Sequence, residues 1–137
     1  MEVEIETERF PEFISKNNLA NWEVAELKNM QSVYFYSAPS STQWDDEDGY
    51  YMVNIGDHIL YRFEVQKVLG KGSFAQVVSA FDHKTQCNVA IKINRNTEID
   101  HKFAQAEADL LTFLMGEDPQ DQHHIVRLSE HLQFRQH

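Results

Sequence analysis

Residues 69–78 read LGKGSFAQVV: two glycines one residue apart, then Ser73, Phe74 and Ala75, with alanine where many nucleotide loops place a third glycine. The residues that follow decide what such a turn does. A dinucleotide-binding fingerprint needs its glycines to end a strand and open a helix, so that the helix N-terminus meets a pyrophosphate. Here QVVSAFD, 76–82, is strand-like, which puts Gly70 and Gly72 at the tip of an antiparallel hairpin and argues against that fingerprint. A Walker loop fails too, because Lys71 lies between the glycines and no Gly-Lys-Ser/Thr closes the run.

On the N-terminal side of the loop, Tyr61, Phe63 and Val65 alternate with polar residues, as a half-buried strand requires. On the other side, Gln76 to Phe81 reads as a second strand, DHKTQC (82–87) as a turn, and NVAIKIN (88–94) as a third strand. Period two sets Val89, Ile91 and Ile93 on one face and Ala90 with Lys92 on the other, leaving space beside Lys92. Over 97–115 the period changes. Ile99, Phe103, Ala106, Leu110 and Leu114 recur at spacings of three and four, an amphipathic helix with Thr97 or Asp100 as N-cap and Gly116 just past its end. Glu107 lies on that apolar stripe, where a carboxylate is costly unless paired. Its neighbours three and four positions away are Phe103, Ala104, Leu110 and Leu111, none of them basic. The partner must come from another element. GEDPQDQ (116–122) reads as a loop and IVRLSEHLQF (125–134) as one more strand.

Before the hairpin, EVEIE (2–6) alternates, and Phe10, Phe13 and Ile14 fall on one stripe of a short helix. Trp22, Val24 and Leu27 mark a second helix, VYFY (33–36) has strand character, and APSSTQ (38–43) is a loop. The like charges of DDED, 45–48, read as a solvated turn, with a docking role as the alternative. YYMVNI (50–55) returns to strand composition, with Gly56-Asp57 as a turn.

The 137 residues suffice for one domain with a real core. No apolar run is long enough to cross a bilayer, and the acidic start MEVEIETERF is unlike a signal peptide, so an intracellular chain without a membrane partner is expected. The lone Cys87 forms no internal disulfide, no Cys/His spacing suits zinc, and His123-His124 read as surface loop residues. Residues 1–60 carry 12 acidic and 3 basic side chains against 10 and 9 in residues 61–137. This distribution argues against a nucleic-acid partner gripped through its backbone. It leaves room for a nucleotide, which needs only one or two well-placed cations.

A glycine-tipped hairpin, a strand carrying Val89-Ala90-Ile91-Lys92 and a helix with Glu107 in Glu-x-x-Leu-Leu together resemble the small lobe of a protein kinase. The stretch YRFEVQKVLGKGSFAQVVSAFDHKTQCNVAIKINRN (61–96) is similar to the dual-specificity tyrosine-phosphorylation-regulated kinase (DYRK) family, with its Tyr-Arg-aromatic-Glu-Val opening and Asp-His-Lys turn. DDEDGYYMVNIGDHILYRFEV resembles that family's DH box, and LANWEVAELKNMQSVYFYS the accessory region of its class II members. The resemblance implies an α+β fold: a twisted antiparallel sheet with one large helix, preceded by a small helical and strand accessory region. It implies an accessory region with a DH-box-like segment over 1–60 and a partial small lobe over 61–137.

The resemblance also assigns the site. ATP would be bound by Leu69, Gly70, Lys71, Gly72, Ser73, Phe74, Ala75, Gln76, Val77, Ala90 and Lys92. Lys92 would hold the α- and β-phosphates, with Glu107 as its partner. Leu69, Val77 and Ala90 would roof the adenine. Alanine at 75 implies a stiffer loop, since positive φ is costly without glycine. The family implies phosphorylation of serine or threonine on protein substrates and of tyrosine in its own activation loop, in the cytoplasm, the nucleus or both. No HRD-x4-N, DFG or APE motif occurs in the 137 residues, so Mg is expected on residues outside the chain, the large lobe is an expected partner, and the chain alone is expected to be inactive. The alternative is a noncatalytic scaffold or pseudokinase fragment, which would have no need of Lys92 and Glu107.

Overall fold

The computed structural model describes residues 4–137, so residues 2 and 3 of the EVEIE alternation lie outside the described residues. In chain order come β1 (Ile5–Glu6), a 3-10 turn (Thr7–Arg9), α1 (Phe10–Asn17), α2 (Asn21–Leu27), β2 (Ser32–Val33), β3 (His58–Ile59), β4 (Phe63–Lys71), β5 (Ala75–Asp82), β6 (Cys87–Asn94) and α3 (Glu98–Glu117). β1 pairs antiparallel with β2, and the larger sheet runs β3-β4-β5-β6. The fold is thus α+β, an antiparallel sheet with one long helix. Contacts divide the chain into two units.

The first unit is Met1–Thr42, Val53–Gly70 and Val77–Ile91. Phe10, Phe13, Leu27, Val33 and Tyr61 form its core, with Ile5, Ile14, Leu19, Met30 and Tyr36 packed around them. In α1 the aromatic spacing buries Phe10 and Phe13, Pro11 sits in the first turn where its missing N–H costs nothing, and Asn18 (φ 51°) ends the helix in the left-handed region. In α2 the buried Glu23 carboxylate reaches back to accept the Ala20 amide at 2.7 Å, capping the first turn. Its other oxygen accepts the Tyr36 hydroxyl at 2.9 Å. Burial, reinforced by that carboxylate, pushes the Tyr36 phenol up to about 12. Glu23→Ala removes the cap and leaves the phenol without its acceptor, at an expected cost of about 1–2 kcal/mol read from the denaturant midpoint.

Leu60 and Tyr61 are both left-handed (φ 55° and 52°), a conformation costing about 1–2 kcal/mol per residue. The reversal is held from both sides. The Tyr61 ring is fully buried, its hydroxyl donates to Glu26 Oε2 at 2.8 Å, and its carbonyl accepts the amides of Tyr34 (2.8 Å) and Phe35 (3.0 Å). Two expectations are corrected here. The strand begins at Phe63 rather than Tyr61, and VYFY contributes only Val33 to β2, because the next two amides go to the Tyr61 carbonyl instead of a ladder.

The motif residues beside these elements build the same unit. Arg62 donates twice to Asp82, Nε to Oδ1 at 2.8 Å and Nη2 to Oδ2 at 2.7 Å. Asp82 also accepts the Lys84 amide (2.9 Å) and the Thr85 hydroxyl (2.7 Å), which closes the turn after β5. Burial alone would raise the Asp82 carboxyl; the Arg62, Thr85 and Lys84 donors outweigh it and hold the group well below the usual carboxylate range. His83 meets Glu64 at 2.8 Å and stacks on Phe35 with ring centres 4.5 Å apart.

The second unit is Gln43–Met52, Lys71–Gln76 and Lys92–His137. Thr97 is the N-cap of α3, its Oγ1 accepting the Asp100 amide at 3.2 Å. Asp100 is not the cap but lies three residues on, fully buried, accepting the Thr97 hydroxyl (2.6 Å) and Arg95 Nε (2.8 Å), which hold its carboxyl below the ordinary range. Gly116 lies inside the helix rather than past it: the chain stays helical to Glu117 and the Asp118 amide still bonds the Leu114 carbonyl. The apolar stripe on α3 forms as the spacing predicts but faces water, with Ile99, Phe103, Leu110 and Phe113 between 52% and 62% exposed.

Segments 50–55 and 125–134 are not strands. In the first, only Tyr51 makes a bridge, to Asp45, while Asp46 and Tyr50 close a turn through Asp46 N and Tyr50 O at 2.9 Å. In the second, polar groups find partners off any ladder: Arg127 donates to the Asp118 carbonyl and the Leu128 amide to Met115 Sδ at 3.1 Å. DDED is not a merely solvated turn either. Asp45 accepts Asn96 Nδ2 at 2.9 Å, and Asp46 Oδ1 accepts the amides of Asp48 (3.0 Å) and Tyr50 (2.9 Å).

Candidate functional site

β4 and β5 form the hairpin that the glycines tip, with the Gly72 amide donating to the Ala75 carbonyl at 2.8 Å. Neither Gly70 nor Gly72 has positive φ, and neither does Ala75, so alanine brings no backbone strain here and the expectation of a stiffened loop is withdrawn. The glycines have another physical meaning. A Cβ built on Gly70 meets nothing within 4 Å and one on Gly72 meets only the Ala75 carbonyl at 3.8 Å. The protein's own packing therefore does not need either position bare. At the tip, no acceptor among the described residues takes the amides of Ser73 or Phe74. Successive backbone N–H groups left open in a turn are a ready site for an anion.

In the same unit, Lys92 on β6 donates through Nζ to Glu107 Oε2 of α3 at 2.6 Å. The partner that the helix itself could not offer Glu107 is this lysine. Strand period two leaves Lys92 exposed beside the inward-facing Ile91 and Ile93, and the side chains of Lys92 and Glu107 are 45% and 44% exposed. Glu107 is therefore not a buried acid forced to find a partner, since its stripe faces water. A half-exposed pair of this kind contributes about 0–1 kcal/mol to stability.

The other residues assigned from sequence divide into two groups. Leu69, Gly70, Val77 and Ala90 lie in the first unit, on β4, β5 and β6, with Leu69 and Ala90 exposed. Lys71 to Gln76 lie in the second. Lys71 is turned to the acidic segment, its Nζ 3.9 Å from the centre of the Tyr50 ring and 3.8 Å from Asp46 Oδ2. Phe74 is 56% exposed with its ring 6.0 Å from that of Phe103 on α3, and the buried Gln76 donates through Nε2 to the Tyr51 carbonyl. Asp46, Tyr50 and Tyr51 thus belong to the surroundings of the loop tip, which the sequence reading missed. The only signal for them was an acidic cluster immediately before two tyrosines.

Comparison with models of known protein families gives no match. Among curated proteins the chain is similar to Dual specificity tyrosine-phosphorylation-regulated kinase mbk-2 of Caenorhabditis elegans, 38% identical over 130 residues that cover 87% of this chain and 16% of that protein. It is similar to Dual specificity tyrosine-phosphorylation-regulated kinase 4 of Homo sapiens, 36% identical over 133 residues covering 89% of this chain and 26% of that protein. It is likewise similar to the DYRK-family kinase pom1 of Schizosaccharomyces pombe, 37% identical, with 92% and 13% covered. The chain therefore spans between 13% and 26% of the length of these relatives.

Proposed function

The chain belongs to the dual-specificity tyrosine-phosphorylation-regulated kinase family, and from that premise we propose that it supplies the phosphate-binding part of an ATP site in a kinase acting on serine or threonine of protein substrates and on a tyrosine of its own activation loop. The observation that carries this reading is the Lys92–Glu107 contact at 2.6 Å. It joins the two residue types at the two elements that the kinase motifs require. In the proposed site the Ser73 and Phe74 amides donate to phosphate oxygens, Lys92 neutralises the α- and β-phosphates, and Glu107 keeps the ammonium from swinging into solvent. Bound ATP supplies the phosphoryl group, and positioning plus charge stabilisation is what a kinase contributes to its transfer. Mg is assigned to residues elsewhere in the kinase, and residues 1–60 to an accessory region preceding the lobe.

Gly70→Val tests the reading. Because an added Cβ at Gly70 meets no protein atom within 4 Å, and valine suits a strand, stability should change by less than about 1 kcal/mol. ATP affinity, by titration with the variant and the unchanged protein, should fall at least about tenfold, since the isopropyl group fills the space where the backbone would meet phosphate. Equal affinities in two equally stable proteins would contradict a phosphate-binding loop.

A further inference from the structure

The acidic segment and the glycine loop meet within the second unit at several points, and one of them has a geometry that packing alone does not explain. The Tyr50 hydroxyl donates to the carbonyl of Gly72, the second glycine of the loop. Tyr50 is buried, 9% exposed, although Gly72, Ser73 and Phe74 are all exposed. Its phenol is thus a fixed post beneath an otherwise open tip.

The post is itself well founded. Asp46 Oδ1 accepts the Tyr50 amide at 2.9 Å, and Asp46 N donates back to the Tyr50 carbonyl at 2.9 Å. Gly49 (φ 84°) lets the turn close against the connection between β6 and α3, where the Asn96 amide donates to its carbonyl at 2.8 Å. A Cβ there would lie 3.4 Å from the Asn96 carbonyl oxygen. The ring has Lys71 Nζ 3.9 Å from its centre and the Arg95 guanidinium at 5.5 Å. The loop is tied at two further places, the Phe74 carbonyl by the Arg95 amide (3.0 Å) and the Gln76 side chain by the Tyr51 carbonyl.

The effect is selective. The carbonyls of Gly72 and Phe74 are taken by protein donors, while the amides of Ser73 and Phe74 are left with no acceptor among the described residues. A flexible glycine loop could turn either set of groups toward a ligand, and carbonyls facing phosphate would repel it. Fixing the carbonyls leaves the donors available in advance, so less ordering is needed when an anion binds.

We infer that Tyr50 is a positioning residue for the glycine loop, holding the Gly72 carbonyl away from the phosphates and drawing Lys71 to the acidic segment, so that the loop presents its amides and Lys92 remains the phosphate-facing cation. This rests on the ATP reading above for its purpose, but not for its geometry. Tyr50 touches no substrate in this scheme; it acts through the loop.

Tyr50→Phe keeps the ring and its cation contacts and removes only the hydroxyl. Two measurements follow on it. In the chain without nucleotide, exchange of the Gly72 amide, which bonds the Ala75 carbonyl, should quicken about fivefold, the equivalent of one net hydrogen bond, with the melting temperature lowered by no more than about 3–4 °C. In the full-length kinase, the KM for ATP should rise about fivefold with kcat within about twofold, a split that general destabilisation would not produce. Lys71→Met, which leaves the hydroxyl bond intact, should keep Gly72 exchange near that of the unchanged protein. Quickened exchange in a protein that binds no ATP would uphold the post and overturn the ATP reading. Unchanged exchange and unchanged KM, in a kinase that does use ATP, would overturn the inference and leave the ATP reading standing.

Discussion

Lys92→Met is expected to lower phosphotransfer by the full-length kinase at least about a hundredfold, the scale on which removal of one preorganised charge from a transition-state site is felt. Methionine keeps the length and apolar stem of lysine, so what is removed is the ammonium, with its contact to Glu107 Oε2 at 2.6 Å. Stability should hardly move. Both side chains are nearly half exposed, where an ion pair contributes about 0–1 kcal/mol. Activity measured beside thermal unfolding therefore separates the two roles. A large loss of stability with activity per folded molecule preserved would make the pair a structural brace. Glu107→Gln should cost less than Lys92→Met, because it loosens the lysine without removing its charge.

Asp82→Ala is expected to have the opposite signature: a large loss of stability from a residue that has no part in the proposed chemistry. Its carboxylate is 1% exposed and takes both arms of Arg62, and removing one partner of a buried pair costs about 3–5 kcal/mol. At about 3 kcal/mol the melting temperature of a domain this size falls by roughly 10 °C. The same group gives an acid limb. Its carboxyl is held well below the ordinary value in the folded chain, so its contribution is complete above an unfolded-state pKa of about 4 and is lost as pH falls further toward the folded value. Denaturant titrations below about pH 5 should show a shallower pH dependence in Asp82→Asn. Parallel curves would mean that Asp82 gains nothing from its donors on folding.

These two residues also show how far a sequence can be read. The three strands around the glycine loop and the long helix were legible because each carries its own period: Val89, Ile91 and Ile93 on one face of β6, and Phe103, Ala106 and Leu110 along α3. Lys92 and Glu107 were legible as a pair because nothing within four residues of Glu107 on its helix could neutralise it. Yet the premise was incomplete, since the stripe that made Glu107 look buried faces water. Asp82 was legible only as part of a motif; its task depends on Arg62, twenty residues away, and no local pattern reports such a pairing. The acidic segment failed for a related reason. Four adjacent carboxylates resemble a solvated turn until it is known that Asp46 has two backbone amides to receive and Lys71 nearby. The residues 125–134 show the reverse error: strand composition without a strand beside them to complete a ladder, which leaves Arg127 and Leu128 bonded to Asp118 and Met115 instead.

The outward-turned side of α3 has a bearing on how the chain behaves in a test tube. Four large apolar residues lie along it more than half uncovered, and water around such a strip favours any event that hides it. Sulfate and other strongly excluded salts would sharpen that tendency and mild solubilising agents would relieve it. The net charge of −10 works against clumping at neutral pH, so the chain should be least soluble near its isoelectric point, about 5.0.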